Sequence, residues 1–424
     1  MAGLYIHIPF CVRKCAYCDF PSVAGREEDA GRFFAAVVRE AELWWDDCVG
    51  GGIGRVPSPA RTSTACSIDS LPSLNKGGCR LSGRGDFTGM SPTVTGGVHK
   101  RVFSTVFLGG GTPSLLPAGD LERLMDSLRL VLDICPIEFT VEVNPGTVDK
   151  AKLESFRRMG ANRISFGVQA AQDGLLKRIG RIHTWADFVR SFELAREAGF
   201  TNINADMMTG LPGQTVTDAV DTARRLVALG VEHVSCYGLI LEEGTPMFAA
   251  VESGALTVPD GDLEREMFHE AKQVLEAVGI KRYEISNFAK PGMECLHNLT
   301  YWRNEDWLGL GPGAASHFDG VRWENYPDLD SYMLALEQGA LPPADTHEIG
   351  GKETAFESVM LGLRLVEGID LKRFAARHGF SFLERFGAVM DKQVELGLMQ
   401  KTPRAVSLTE RGMDLQNSVL MEFM

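Results

Sequence analysis

The first apolar run of this chain, "GLYIHIPF" (3–10), predicts a buried strand from residue 3. From residue 102 the alternation becomes regular. "VFSTVFLGGG" (102–111) predicts a strand ending in glycines, and "LERLMDSLRLVLD" (121–133) has the three-four spacing of a helix. "EFTVEVNP" (138–145) is a strand, "KLESFRRMG" (152–160) a helix, and "ANRISFGVQ" (161–169) a strand. "ADFVRSFELAREAGF" (186–200) is a helix closed by glycine, and "TNINADMMTGLPGQ" (201–214) a strand and loop. "AVDTARRLVALG" (219–230) and "VEHVSCYGLILEEGTP" (231–246) repeat the unit. Strands alternating with helices of this length predict βαβ units and a parallel sheet. Six strands before residue 245 give the expected fold: α/β, a partial (β/α)6 TIM-like barrel over residues 1–245.

Beyond it, the pattern predicts a helix over 263–279, a strand over 281–286 and a helix over 326–339, an extension spanning 246–344. From residue 345, helices, a short hairpin and "LTERG" predict a mainly helical, winged-helix-like domain over 345–424. Such a shape suggests a DNA-binding regulator. Its ten Lys and Arg against twelve Asp and Glu form no basic footprint, which favours packing or partner docking. Residues 49–101 break the first unit. They hold 22 Gly, Ser and Pro and one aromatic residue, too little apolar surface to offset chain ordering, and predict a flexible insertion. Cys66 and Cys79 within it are not spaced as a metal pair.

The formal net charge of -13 argues against a nucleic-acid surface. No apolar stretch is long enough for a membrane helix, and no export segment is expected ahead of the first strand, so a reducing cytoplasm is the expected compartment. There, nine cysteines with three of them clustered point to metal rather than crosslinks.

The cluster is "CVRKCAYCDF" (11–20), with Cys11, Cys15 and Cys18 in a C-x3-C-x2-C array. Three readings fit the spacing. One is a zinc site with a fourth ligand such as Asp19 or His7. Another is a redox pair of Cys15 and Cys18. The third is an iron–sulfur cluster with one iron left open. In parallel α/β barrels the chemistry gathers at the C-terminal ends of strands. Here those ends carry the cysteines, then Gly109 to Thr112, Glu142 with Asn144, Gln169, Asp206, and Tyr237 with the 239–243 loop.

With "YIHIPFC", "CAYCDF", "GGGTPS", "VEVNPG", "ISFGVQ", "GRIH" and "GLPGQT", the chain resembles the radical S-adenosylmethionine superfamily, and within it the anaerobic coproporphyrinogen oxidase-like group. The likeness spans residues 4–424 apart from the insert. It implies that Cys11, Cys15 and Cys18 hold a [4Fe-4S] cluster. The open iron would take the amino and carboxylate groups of S-adenosylmethionine, which an electron cleaves to a deoxyadenosyl radical. By the same resemblance Gly110, Gly111 and Thr112 meet the methionyl part. Glu142, Gln169, Arg181 and Asp206 grip the amino, carboxylate and ribose groups. Tyr5 and Tyr17 lie near the cofactor, and Ile240 near the adenine.

The true oxidases of that group carry a fourth cysteine two residues after the third, where this chain has Phe20, and a longer N-terminal segment. "CDF" and the stretch 283–314 look instead like the group's heme-chaperone branch, whose HNxxYW motif stands here as His297, Asn298, Tyr301 and Trp302. The resemblance implies a protein that binds heme and transfers it to an acceptor protein. The alternative is an oxygen-independent coproporphyrinogen III oxidase, so whether the chain is an enzyme stays open, and no catalytic residue is assigned. A histidine can ligate heme iron. His297 leads, with Cys295 as a thiolate alternative and His317 a second histidine candidate. Dimerisation is left open.

Overall fold

The computed structural model describes residues 2–49 and 101–424. The insertion expected over 49–101 lies, but for its two end residues, outside them. Six parallel strands follow the expected order: β1 (Ala2–Ile8), β2 (Phe103–Gly110), β3 (Ile134–Val143), β4 (Arg163–Gln169), β5 (Asn202–Thr209) and β6 (His233–Gly238). Their residues are mostly buried on both faces, as in strands covered by helices outside and closed in by the barrel interior.

The sheet extends further than the periodicity indicated. Beyond β6 lie the short antiparallel strands β7 (Lys281–Arg282) and β8 (Asn287–Ala289). At the other side, β9 (Asp306–Leu310) runs parallel to β1, followed by β10 (Ala315–Phe318), β11 (Val321–Asn325) and β12 (Ala344–Glu348) in an antiparallel meander. The order is β12-β11-β10-β9-β1-β2-β3-β4-β5-β6-β8-β7. The outermost strands do not pair with each other, so the barrel stays open.

The helices are α1 (Ala30–Val49), α2 (Ala118–Val131), α3 (Lys150–Met159), α4 (Asp173–Arg178), α5 (Trp185–Glu197) and α6 (Val216–Leu229). After them come α7 (Pro246–Glu252), α8 (Gly261–Glu276), α9 (Leu296–Trp302) and α10 (Leu329–Glu337). Local chemistry sets several starts. Thr184 with Asp187 and Thr215 with Asp218 form capping boxes for α5 and α6, and Asp149 accepts from the Lys152 N–H to open α3. Buried Glu40 of α1 ties the late strands to the early ones. It accepts hydrogen bonds from the Gly311 N–H (2.9 Å), Asn325 Nδ2 (2.7 Å) and the Tyr332 hydroxyl (2.5 Å). The chain after β9 then lies directly on that after β1: a Cβ at Gly311 would fall 2.6 Å from the His7 carbonyl oxygen, and one at Gly313 2.5 Å from Pro21 Cγ.

A second hydrophobic core, including Phe374, Phe382, Phe386 and Val406, holds α11 (Gly351–Gly362), α12 (Leu371–His378), α13 (Phe382–Glu395) and a three-stranded sheet. That sheet runs β13-β15-β14, from Ile369–Asp370, Ala405–Leu408 and Met399–Lys401. No helix among the described residues is long and apolar enough to cross a membrane.

Candidate cofactor site at the barrel mouth

The loop after β1 carries Cys11, Cys15 and Cys18, all half-buried and none in a disulfide. Backbone bonds fold it back on itself and onto its neighbours. Cys18 N–H donates to Cys15 O (3.2 Å), Ala16 N–H to Ile179 O (3.3 Å), and Met247 N–H to Ala16 O (2.9 Å). At its base the Tyr5 hydroxyl meets His7 Nδ1 (3.0 Å), and His7 Nε2 donates to the Pro21 carbonyl (2.7 Å). His7 is therefore engaged in holding the loop, and so is the Tyr5 hydroxyl.

Two of the sulfurs are joined through a chain of polar contacts. Cys11 Sγ lies 3.6 Å from Thr112 Oγ1, which accepts from Asn144 Nδ2 at 2.7 Å. Asn144 Oδ1 accepts from Arg181 Nη2 at 2.6 Å, and Arg181 Nη1 donates to Cys15 Sγ at 3.7 Å. Arg181 also donates to the Gly167 carbonyl. Its Nε is buried without a partner, a spare donor in a fork suited to a carboxylate. Asn144, which the sequence reading placed at a strand end without a role, is the link in this chain.

Beside it, Glu142 Oε2 accepts from the Gly110 N–H (3.0 Å). Burial, then the neighbouring Asp206 charge, push the Glu142 carboxyl up to about 8. Asp206 accepts from Asn204 Nδ2 (2.7 Å), and Gln169 Oε1 accepts from the Tyr237 hydroxyl (3.1 Å). Gln169 sits at φ 69, a left-handed conformation that costs about 1–3 kcal/mol for a residue with a Cβ. Such strain is concentrated at functional positions. Tyr17 packs at the foot of the loop, and Ile240 stands 69% exposed at the rim.

The glycine run acts differently from a nest of donors. The N–H groups of Gly110, Gly111 and Thr112 are spent on Glu142, Ile8 O and Phe10 O. Gly111 is required by close approach: a Cβ there would fall 2.7 Å from the Phe10 carbonyl oxygen.

Among the described residues no three His, Cys, Asp or Glu side chains are grouped to hold a single metal ion. The three thiols do suit a cluster, which spreads its thiolates over separate irons. Burial raises the Cys11 and Cys18 thiols, and each is raised further by the neighbouring sulfurs. Thiolates are unfavourable there until iron supplies the opposing charge.

The HNxxYW residues lie elsewhere. Helix α9 enters at the opposite end of the strands, where a Cβ at Gly3 would fall 3.1 Å from His297 Cε1. Gly3 precedes the end of β1 by five residues, on the order of 16 Å along a strand. His297 is 1% exposed. Its Nδ1 contacts Thr105 Oγ1 (2.9 Å) and its Nε2 the Tyr301 hydroxyl (2.7 Å), and burial holds it down at about 3. Glu138 accepts from the Leu296 and His297 N–H groups, both at 2.9 Å, and from Cys295 Sγ at 3.4 Å. Trp302 faces away, under Arg364 at 5.3 Å. Both His297 nitrogens and the Cys295 thiol are thus engaged internally, and the Tyr301 ring packs edge-on to that of His297, centroids 4.9 Å apart. In this structure α9, which carries the motif, packs against β1, β2 and β9 of the barrel and against α11.

The profile of the Radical SAM superfamily matches residues 96–226, and that of the HemN C-terminal domain residues 351–415. The chain is 36% identical, over 100% of its length and 99% of the relative's, to the heme chaperone HemW of Bacillus subtilis. It is 31% identical, over 100% of its length and 98% of the relative's, to the heme chaperone HemW of Escherichia coli. Among solved structures, coproporphyrinogen III oxidase (HemN) from Escherichia coli, a radical SAM enzyme, matches 100% of this chain and 89% of its own with a TM-score of 0.75 and 21% identity. That likeness concerns the fold.

Proposed function

The chain belongs to the HemW family of radical S-adenosylmethionine proteins, and from that premise we propose that it binds heme and passes it to an acceptor protein. The cofactor half of this reading rests on one observation, the polar chain from Cys11 through Thr112, Asn144 and Arg181 to Cys15. In this reading Cys11, Cys15 and Cys18 hold a [4Fe-4S] cluster. When bound, the cluster supplies an open iron for S-adenosylmethionine and the electron that can cleave its sulfonium. Arg181 receives the carboxylate, Glu142 accepts from the amino group, and Asp206 and Gln169 take the ribose hydroxyls. Gly110, Gly111 and Thr112 let the methionyl part approach, Tyr5 and Tyr17 close the inner side of the site, and Ile240 covers the adenine. The setting is the cytoplasm. Residues 1–245, 246–344 and 345–424 act as barrel, extension and C-terminal domain.

Phe20, where the oxidases carry a further cysteine, is 63% exposed at the mouth and supports the chaperone reading over porphyrinogen oxidation. The deciding measurement is an anaerobic hemin titration of cluster-loaded protein against competing coproporphyrin. Saturable one-to-one binding that resists the competitor, followed by transfer to an apo-acceptor, is expected. Ready displacement by coproporphyrin would return the protein to the oxidases.

The Glu142 carboxyl carries a second expectation. Its pKa in the folded protein is raised, so its proton stabilises the ligand-free fold, and that contribution is lost as pH rises through about 8. An amino group bound beside it lowers the pKa again and expels the proton. S-adenosylmethionine affinity therefore rises between pH about 6 and about 8, and calorimetry in buffers of different ionisation enthalpy reads proton release. Glu142→Gln should flatten that profile and reduce the release. Equal profiles for the two proteins would remove Glu142 from the amino-group site.

A further inference from the structure

Arg163 of β4 is 2% exposed, deep in the barrel interior. Strand residues two apart share a face, so it shares one with Ser165, whose hydroxyl accepts from Asn204 Nδ2 at 2.7 Å. The same amide donates to Asp206 Oδ1 at 2.7 Å. On the other flank Arg163 Nη1 donates to Thr140 Oγ1, and Thr140 stands two residues before Glu142 on the same face of β3. Arg163 therefore lies one layer below Glu142, about 7 Å along the strands. Glu138, two residues before Thr140, lies one layer further down.

This guanidinium is poorly partnered. Its bond to Thr140 is long at 3.4 Å, and its Nε is buried without a partner. An arginine does not shed its proton to relieve such a site. Burial works against its charge, while Cys295, Glu138, Tyr283 and Asp206 work for it. Cys295 and Tyr283 are themselves kept neutral by burial, which leaves Glu138 beneath and Asp206 above as the charges that face it. A cation held with so few bonds acts on its surroundings through its field.

Above it that field meets two acids that burial drives toward the neutral form. Burial, then the Asp206 charge, push Glu142 up, and the Gly110 N–H and Arg163 pull it back. Burial raises Asp206 too, against Ser235, Asn204, Arg163 and Arg181. Tyr5 and Tyr301 also face Glu142, and burial keeps both uncharged. Arg163 is the cation common to both acids. Building on the S-adenosylmethionine-binding reading, we propose that Arg163 is a positioning residue for that cofactor. Its buried charge keeps Glu142 and Asp206 ionised beneath the amino group and ribose, and so sets the pH at which the cofactor binds.

The test is calorimetry of S-adenosylmethionine binding to full-length, cluster-loaded protein between pH about 6.5 and about 8.5. Wild type is compared with Arg163→Met, Arg163→Lys and Arg163→Met combined with Glu142→Gln, each checked for folding by circular dichroism. Arg163→Met should bind about tenfold more weakly at pH about 7, with the loss narrowing as pH rises. It should also release more protons than wild type at pH about 8, because Glu142 then starts protonated more often. Arg163→Lys keeps the charge and should stay near the wild-type profile. In the Glu142→Gln background the pH-dependent part of the loss should vanish. A loss equal at every pH with unchanged proton release would leave Arg163 a packing residue and overturn the proposal. Should Arg163→Met not fold, Glu138→Gln decides. With the acid beneath it removed, the guanidinium is less neutralised and the binding profile should move to lower pH, and an unmoved profile would overturn the proposal. Wild type that binds no S-adenosylmethionine would instead remove the cofactor reading on which this one rests.

Discussion

Cys15→Ser leaves the reconstituted protein without its broad iron–sulfur absorption, and bound iron falls from about four per chain to near zero. The effect is all-or-none for a structural reason. With only three thiols on the loop, removing one leaves two irons exposed to solvent rather than one. Cys15 is also the sulfur to which Arg181 donates, so its loss frees the guanidinium that spans Gly167, Asn144 and the loop. A serine hydroxyl is too weakly acidic to replace the thiolate. Cys135→Ser, near the start of β3 at the other end of the strands, should keep full absorption and iron. An intact cluster spectrum in Cys15→Ser would sink the ligand assignment.

Glu138→Ala lowers folding stability by about 3–5 kcal/mol, read as a drop in denaturation midpoint. Three groups lose their acceptor at once: the first two N–H groups of α9 and the Cys295 thiol. Arg163, 2% exposed, loses one of the acids that keep it charged against the cost of burial. Glu138→Gln keeps the acceptor shape without the charge and should fall between the two. A loss under about 1 kcal/mol would mean that the joint below the barrel is not held by this carboxylate.

The sequence made the barrel legible because parallel strands covered on both faces leave strong apolar runs, and the intervening helices carry matching periodicity and caps. Strand β9 escaped because "DWLGL" is five residues long and its glycine interrupts the run. Its pairing with β1 spans about three hundred residues, beyond any local signal. The mouth was legible because it is built from strand ends in order: Cys11, Gly110, Glu142, Gln169, Asp206. Asn144 and Tyr237 were visible there but gained their roles only from geometry. The HNxxYW stretch shows what a motif leaves open. A motif records which residues belong together, and it does not say which way a helix faces. His297 turns into the barrel, and Trp302, five residues on, turns out of it.

Strand β1 lies between β2 and β9, and the chain at Gly311 and Gly313 rests on His7 and Pro21 at the root of the cysteine loop. A nascent chain shorter than residue 306 therefore holds its first strand by one ladder only, with the other edge bare. During translation the loop's foundation is the last part of the barrel to be laid. Roughly three quarters of the protein must leave the ribosome before the three thiols can adopt a settled spacing. A chain interrupted before that point carries the three cysteines without the segment that supports their loop.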